Sequence, residues 1–140
     1  MLPIQKLFSS NERLFNLTTE GITQEESLKE LQNCNSANWV VGHIAYLRNN
    51  ILSQLGLPPV ADEAMKPLYS RGTKLDASKA FHFDVLKKIY VDSHLKIFEG
   101  VLKLKDEAIL EQVTFMGFHE AYHIGQIGLL RKMLGKEGAL

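Results

Sequence analysis

Two histidines near the end of the chain, His119 and His123, could bind one metal ion together. They lie four residues apart, which on an α-helix places their Cβ atoms about 5–6 Å apart on one face. Metal–nitrogen bonds of about 2.0–2.1 Å allow two imidazoles at that separation to reach the same ion. Such a site needs at least one more ligand, and the position of that ligand decides what the site can do.

The residues that follow the pair indicate that it faces the protein interior. Ile127, Leu130 and Leu134 continue the helical face on which His119 and His123 lie. Two imidazoles brought together in an apolar core lose hydration, and a bound cation compensates both of them. The pattern therefore favours a metal site.

Three other histidines are candidates for the third ligand. His43 flanks an apolar helical stripe that includes Val40 and Leu47. His94 has comparable apolar neighbours, whereas His82 lies near the start of a helical segment and is the weakest candidate. Spacing alone leaves His43 and His94 as alternatives.

The segment His119–His123 also matches H-E-x-x-H, in which two histidines bind zinc and the glutamate, here Glu120, is a general base. A metzincin has a third histidine six residues after the second, where this chain has Leu129. A gluzincin uses a more distant glutamate, and the only later acid is Glu137, in a glycine-flanked tail. We therefore do not expect a peptidase.

Apolar residues recur at helical spacing throughout, which predicts an all-α fold. Four segments carry the pattern: an N-terminal one from Ile4 that ends at Thr18–Gly21, then Ala37–Leu55, Phe83–Leu104 and Phe115–Leu134. Between them we expect a capping box at Thr23–Glu26 that opens a short turn through Leu31, a long connection over 57–80, and a short acidic piece over Asp106–Glu111. This order predicts a single domain, 1–140, in which a four-helix bundle has its long crossover between helices two and three.

Composition excludes several classes of function. Sixteen basic and sixteen acidic residues cancel, so we expect no nucleic-acid partner. No apolar run approaches the roughly 20 residues that span a bilayer, and Met1–Lys6 lacks the apolar core of a secretion signal. Cys34, the single cysteine, cannot form an internal disulfide. We expect a cytoplasmic protein that binds no membrane.

Two stretches resemble the DinB/YfiT-like superfamily: Asn38–Ala45 and His119–Gly135. Members of this superfamily carry a histidine in helix two, often shortly after a tryptophan. They carry an H-x-x-x-H pair in helix four, followed by a Gly-Gln-Ile/Leu pattern. The positions of this chain that match are Trp39, His43, His119, His123, Gly125 and Gln126.

The resemblance implies a four-helix bundle with a crossover and a site for one divalent metal formed by His43, His119 and His123. It thereby selects His43 over His94. Zinc or nickel is the expected ion, with iron or copper as alternatives, because imidazole suits all four. The resemblance also implies a homodimer. Characterised relatives include S-transferases that use low-molecular-weight thiols such as bacillithiol, and a mycothiol-dependent isomerase.

Three neutral ligands with an open coordination position are typical of catalytic rather than structural zinc sites. A metal held in this way lowers the pKa of a bound thiol or water. We therefore expect a metal-dependent thiol S-transferase that acts on small electrophiles and takes a low-molecular-weight thiol as co-substrate. A metal-dependent hydrolase and a non-enzymatic metal-binding stress-response protein are the alternatives.

Several other residues could belong to the site. Gln126 could line the same cavity or support a ligand, and Tyr46 and Tyr122 could reach the cavity. Glu120 is expected to be a surface or interhelical charge, and Cys34 a cysteine without a catalytic role.

Two features of the backbone carry further expectations. Gly125 and Gly128, inside a helix, predict close approach of a neighbouring backbone, within the bundle or across a dimer. The long connection, with Tyr69, Arg71 and Lys74, is interpreted as either a rim of the cavity or an ordinary solvated segment.

Overall fold

The computed structural model describes residues 1–140 and consists of α-helices without β-strands. The six helices are α1 (Pro3–Thr19), α2 (Gln24–Ser27), α3 (Ala37–Gln54), α4 (Lys66–Tyr69), α5 (Phe83–Gly100) and α6 (Glu107–Met133). Short 3-10 turns cover Glu63–Met65, Ala77–Lys79 and Val101–Lys103. The predicted all-α class is confirmed. None of the helices has both the length and the apolar character needed to cross a membrane.

The capping box at Thr23–Glu26 is confirmed. Thr23 Oγ1 accepts a hydrogen bond from the Glu26 amide at 3.1 Å, and the Glu26 carboxylate accepts one from the Thr23 amide at 3.0 Å. The helix that it opens, α2, ends at Ser27 and does not continue through Leu31. The third segment likewise ends early, at Gly100, and a 3-10 turn follows it.

The start of α6 differs from the prediction: the helix begins at Glu107 and not at Phe115. Asp106 caps it, since its carboxylate accepts hydrogen bonds from the amides of Ala108 and Ile109 at 2.9 and 3.3 Å. Glu107 in the first turn adds a favourable interaction with the helix dipole. The acidic piece is thus the capped first turns of the helix, which the apolar periodicity does not reveal.

The connection between α3 and α5 is partly helical and partly buried. It contains α4, which packs against α3. A Cβ on Gly42 would overlap the ring of Tyr69, so glycine is needed at this contact. Tyr69 is fully buried, and its hydroxyl donates to Asn38 Oδ1 at 2.8 Å. At Tyr69 the segment is therefore part of the core and not an ordinary solvated connection.

The four long helices pack in a closed order, α1 against α6, α6 against α3, α3 against α5 and α5 against α1. Two apolar clusters lie between them, one that includes Phe15 and Ile124 and one that includes Phe8 and Val113. Buried polar residues occupy the positions between the clusters on each helix: Asn11 on α1, Arg48 on α3, Ser93 on α5 and Glu120 on α6. A polar layer therefore divides the core close to the histidines.

Candidate metal centre

Helices α3 and α6 position the three histidines. His43 lies in the second turn of α3, whose start Ser36 caps by accepting from the Trp39 amide at 3.2 Å. His119 and His123 lie in the middle of α6. Because α3 and α6 pack against each other, the three imidazoles meet at one point between the helices.

The distances fit one ion. One ring nitrogen from each of His43, His119 and His123 lies within 4.8 Å of those from the other two. His119 Nε2 and His123 Nε2 are 3.1 Å apart. A tetrahedral ion with metal–nitrogen bonds of about 2.0–2.1 Å separates two ligand nitrogens by about 3.4 Å. Three imidazole donors at this spacing are compatible with one divalent metal ion.

Hydrogen bonds at Nδ1 set the tautomers of two of these rings. His43 Nδ1 lies 2.7 Å from the backbone oxygen of Tyr69, and His123 Nδ1 lies 2.7 Å from Gln126 Oε1. Because a carbonyl oxygen can only accept, each Nδ1 carries the proton and donates it, so each Nε2 is unprotonated. Metal-binding histidines are commonly held in this way by their second nitrogen. In the metal-free protein, the Nε2 of His123 accepts from His119 Nε2 at 3.1 Å. Of the two alternatives for Gln126, the contact with His123 is present, whereas Gln126 does not line the adjoining cleft.

Trp39 holds His43 from the other side. The two rings stack with their centroids 4.6 Å apart and their planes 10° apart. The indole Nε1 donates to Thr73 Oγ1 at 3.0 Å, in the connection that follows α4. His43 is thus fixed by an aromatic face and by the Tyr69 carbonyl, so its ring has little freedom to turn.

The electrostatic environment keeps all three rings neutral near pH 7. Burial is the largest cause that lowers the pKa of His123 to about 4; the neighbouring imidazoles act in the same direction, and the hydrogen bond of Gln126 opposes them. Burial is also the largest cause that lowers the pKa of His43 and of His119. Neutral imidazole is the form that binds a metal, so the site is prepared for one without a change of protonation.

The histidines lie in the wall of a cleft of about 600 Å³. Its size falls in the usual range for small-molecule sites. The other lining residues are mostly apolar or aromatic: Trp39, Leu47, Asn50, Ile51, Arg71, Phe115, Met116, Glu120 and Tyr122. An ion bound by the three imidazoles would therefore adjoin a space that can hold a small organic molecule.

A buried ion pair lies beneath this cleft. Arg48 Nε donates to Glu120 Oε1 at 2.7 Å, and its Nη2 donates to Oε2 at 3.1 Å. Only 1% of the Arg48 side chain and 2% of the Glu120 side chain are exposed. Of the two alternatives for Glu120, the interhelical charge is correct and the surface charge is wrong.

Every long helix contributes to the surroundings of this pair. The Tyr90 hydroxyl and Asn11 Nδ2 donate to Glu120 Oε2 at 3.2 and 3.3 Å. Arg48 Nη1 donates to the Tyr90 backbone oxygen at 2.9 Å and to Ser93 Oγ at 3.0 Å. The guanidinium carbon lies 3.6 Å from the centre of the Tyr90 ring. Burial is the largest single influence and acts to lower the pKa of Arg48, but the attraction and hydrogen bond of Glu120 together with the attraction of Tyr90 and Glu12 outweigh it, so the pKa is raised.

Our sequence reasoning missed Arg48, although a signal is present. Arg48 lies on the face of α3 that carries Ile44, Ile51 and Leu52. A charged residue in the middle of an apolar row predicts an internal partner, because a charge is not buried unpaired.

The remaining histidines lie outside the cluster. His94 Nε2 lies 3.0 Å from the Glu12 carboxylate, so it is not the third member. His82 caps α5, where its Nδ1 accepts from the Asp84 amide at 3.1 Å.

The other predicted residues are divided between the cleft and the surface. Tyr122 lines the cleft, whereas the Tyr46 hydroxyl donates to the Glu63 carboxylate at 3.3 Å and lies away from it. A Cβ on Gly125 would meet no atom within 4 Å, and one on Gly128 would meet only Thr18 Cγ2 at 3.6 Å. Within the chain, the expected close approach of a backbone at these two glycines is therefore wrong. Cys34 is exposed.

The arrangement can bind a cation through three neutral nitrogens while leaving coordination positions for other ligands. The nearby cleft can hold the molecule on which such an ion acts. Comparisons with family models, with curated proteins and with solved structures found no match to this chain.

Proposed function

We propose that this protein binds one divalent metal ion through His43, His119 and His123 and uses it to transform a small molecule. The observation that carries the proposal is the convergence of three neutral imidazoles on one point beside the cleft. Zinc or nickel is the expected ion, and iron or copper is the alternative.

We also propose membership of the DinB/YfiT-like superfamily, with a four-helix bundle in which 57–80 is the crossover. The closed packing order of α1, α6, α3 and α5 supports this topology. The stacking of Trp39 on His43 and the contact of Gln126 with His123 give a physical role to residues that carry the resemblance.

The reaction that we propose is transfer of a low-molecular-weight thiol to a small electrophile. When bound, the metal would act as a Lewis acid that lowers the pKa of the thiol. The protein positions the donors: the Tyr69 carbonyl and Trp39 hold His43, and Gln126 holds His123. The apolar and aromatic part of the cleft wall would lie against the body of the electrophile. The choice of a thiol comes from the resemblance.

Metal-dependent hydrolysis is the second candidate, because the same three-histidine site could activate water in place of a thiol. The openness of the site toward a cleft that reaches solvent favours it. A non-enzymatic metal-binding role in stress response is the third candidate. The absence of turnover with any substrate would distinguish it from the transferase and the hydrolase.

We propose that the protein is a homodimer formed through the outward face of α6. An apolar stripe of exposed side chains follows this face: Phe115 (70% exposed), Phe118 (62%), Tyr122 (66%), Leu129 (53%) and Met133 (37%). A symmetric antiparallel pairing centred near Tyr122 would set Phe118 against the partner's Gly125, where no other atom lies within 4 Å of a Cβ. It would also set Glu111 near the partner's Lys132, so that both the shapes and the charges of the two surfaces are complementary.

We further propose a cytoplasmic location.

The experiment that tests the reaction uses untagged, zinc-loaded protein, a panel of low-molecular-weight thiols and a chromogenic electrophile. We expect thiol consumption above the uncatalysed rate, and loss of the excess in His119→Ala. Metal-dependent cleavage of an ester or amide, with no thiol consumed, would replace the transferase by the hydrolase.

A further inference from the structure

The wall of the cleft contains one cation without a partner in the protein. Arg71 lines the cleft from the connection after α4, and its side chain is exposed. It belongs to none of the five ion pairs of the protein. Its five N–H donors are therefore available to a molecule in the cleft.

The other charge in the wall is already neutralised. Both oxygens of Glu120 accept hydrogen bonds from Arg48, and one also accepts from Tyr90 and Asn11. Among the Arg, Lys, Asp and Glu side chains of the wall, Arg71 is therefore the one that the protein leaves unpaired. A divalent ion held by the three histidines would add positive charge to the same wall.

The backbone that carries Arg71 is tied to the histidine cluster. Two residues earlier, the buried Tyr69 accepts the Nδ1 proton of His43 through its carbonyl oxygen. The next residue, Gly72, has a φ of +79°, which a glycine adopts without strain. The backbone that precedes Arg71 is therefore held against the histidine cluster, and the Arg71 side chain lines the same cleft.

We propose that Arg71 binds an anionic group of the substrate, so that the substrates of this protein are small organic anions with an apolar body. A guanidinium pairs with a carboxylate or a phosphate through two parallel hydrogen bonds. The body of the molecule would lie against Leu47, Phe115 and Met116. The identity of the anion as substrate rests on the proposed function, whereas its recognition by Arg71 does not require the metal.

The test is titration calorimetry with three probes of similar shape: benzoate, phenyl phosphate and the uncharged benzamide. Each is titrated into metal-free and zinc-loaded protein, for wild type, Arg71→Gln, Arg71→Lys and Lys74→Gln. Lys74 is a matched control, because it is an exposed cation three residues away that does not line the cleft. Both Arg71 and Lys74 are on the surface, where substitutions change stability little.

We expect at least one anion to bind metal-free wild type about tenfold more tightly than benzamide, and more weakly as salt is added. Arg71→Gln should lose this preference, Lys74→Gln should keep it, and Arg71→Lys should keep part of it. The preferred anion identifies the group as carboxylate or phosphate. Equal anion binding by wild type and Arg71→Gln, an equal loss in Lys74→Gln, or no binding of either anion would overturn the proposal.

The same titrations separate this inference from the proposed function. Arg71-dependent anion binding in a protein that takes up no metal would support the inference and contradict the metal site. Binding of one zinc ion per chain, together with anion binding that is unchanged in Arg71→Gln, would support the metal site and contradict the inference.

Discussion

His119 and Glu120 are adjacent in α6, but their side chains belong to different structures. His119 Nε2 lies 3.1 Å from His123 Nε2 in the three-histidine cluster, whereas Glu120 is buried in an ion pair with Arg48. The candidate metal centre and the polar layer of the core therefore meet at two adjacent residues of α6. The site and the stability of the fold can be examined separately through these two neighbours.

The first prediction concerns the ligands. His43→Ala, His119→Ala and His123→Ala should each lose most of the bound metal, because two imidazoles hold a divalent ion far more weakly than three. His94→Ala is the control and should keep about one ion per chain, since His94 pairs with Glu12 outside the cluster. Mass spectrometry of metals in untagged protein gives the stoichiometry. Loss of metal in His94→Ala but not in His43→Ala would show that the third ligand is wrongly assigned.

The second prediction concerns pH. His123 has a pKa of about 4 in the folded protein against about 6.5 when unfolded. Its contribution to stability is therefore fully present above about pH 6.5 and is lost as the pH falls toward 4, because the unfolded chain takes up a proton that the folded chain does not. Urea unfolding of metal-free protein should show a steeper decline over this range for wild type than for His123→Asn.

Zinc should steepen that decline, since protons compete with the metal for the same nitrogens. The rise in melting temperature caused by zinc should be larger at pH 8 than at pH 5. An equal rise at both values would contradict imidazole ligation.

The third prediction concerns the buried ion pair. Glu120→Gln should lower the free energy of unfolding by about 3–5 kcal/mol, because it leaves the charge of Arg48 buried without its partner. Glu99→Gln, on the exposed surface of α5 and in none of the ion pairs of the protein, should change it by less than about 0.5 kcal/mol. Denaturant unfolding measures both. A loss in Glu120→Gln no larger than that of the control would mean that water or another group compensates Arg48.

The fourth prediction concerns the contact of α3 with α4. Gly42→Ala should displace Tyr69, whose ring occupies the space of the added Cβ. Because the Tyr69 carbonyl holds His43, metal affinity should fall together with stability. Gly128→Ala is the control: its Cβ makes only an ordinary contact, so the helix should gain up to about 1 kcal/mol. Unchanged zinc affinity in Gly42→Ala would show that the carbonyl does not position His43.

The fifth prediction concerns association. Phe118→Glu should convert a dimer to a monomer in analytical ultracentrifugation, because it places charges in the centre of the apolar stripe on α6. Leu95→Glu is the control, since Leu95 is 61% exposed on α5 and lies outside that stripe. Wild type that sediments as a monomer would contradict the dimer.

Local features of the sequence were enough to predict the helical class and the histidine pair. Apolar spacing and the capping box at Thr23–Glu26 depend on residues within one or two turns, so they can be read along the chain. The start of α6 could not be read in this way, because its first turns are exposed and depend on the cap at Asp106.

The tertiary structure alone decided which residues meet. Spacing left His43 and His94 equivalent, and the packing of α3 against α6 places His43 beside the pair and leaves His94 with Glu12. The partnership of Arg48 with Glu120 spans 72 positions along the chain, and no local pattern encodes such a pairing. A charged residue or a histidine on an apolar helix face indicates, from the sequence, that its side chain has a partner in the core. Which residue that partner is depends on how the helices pack.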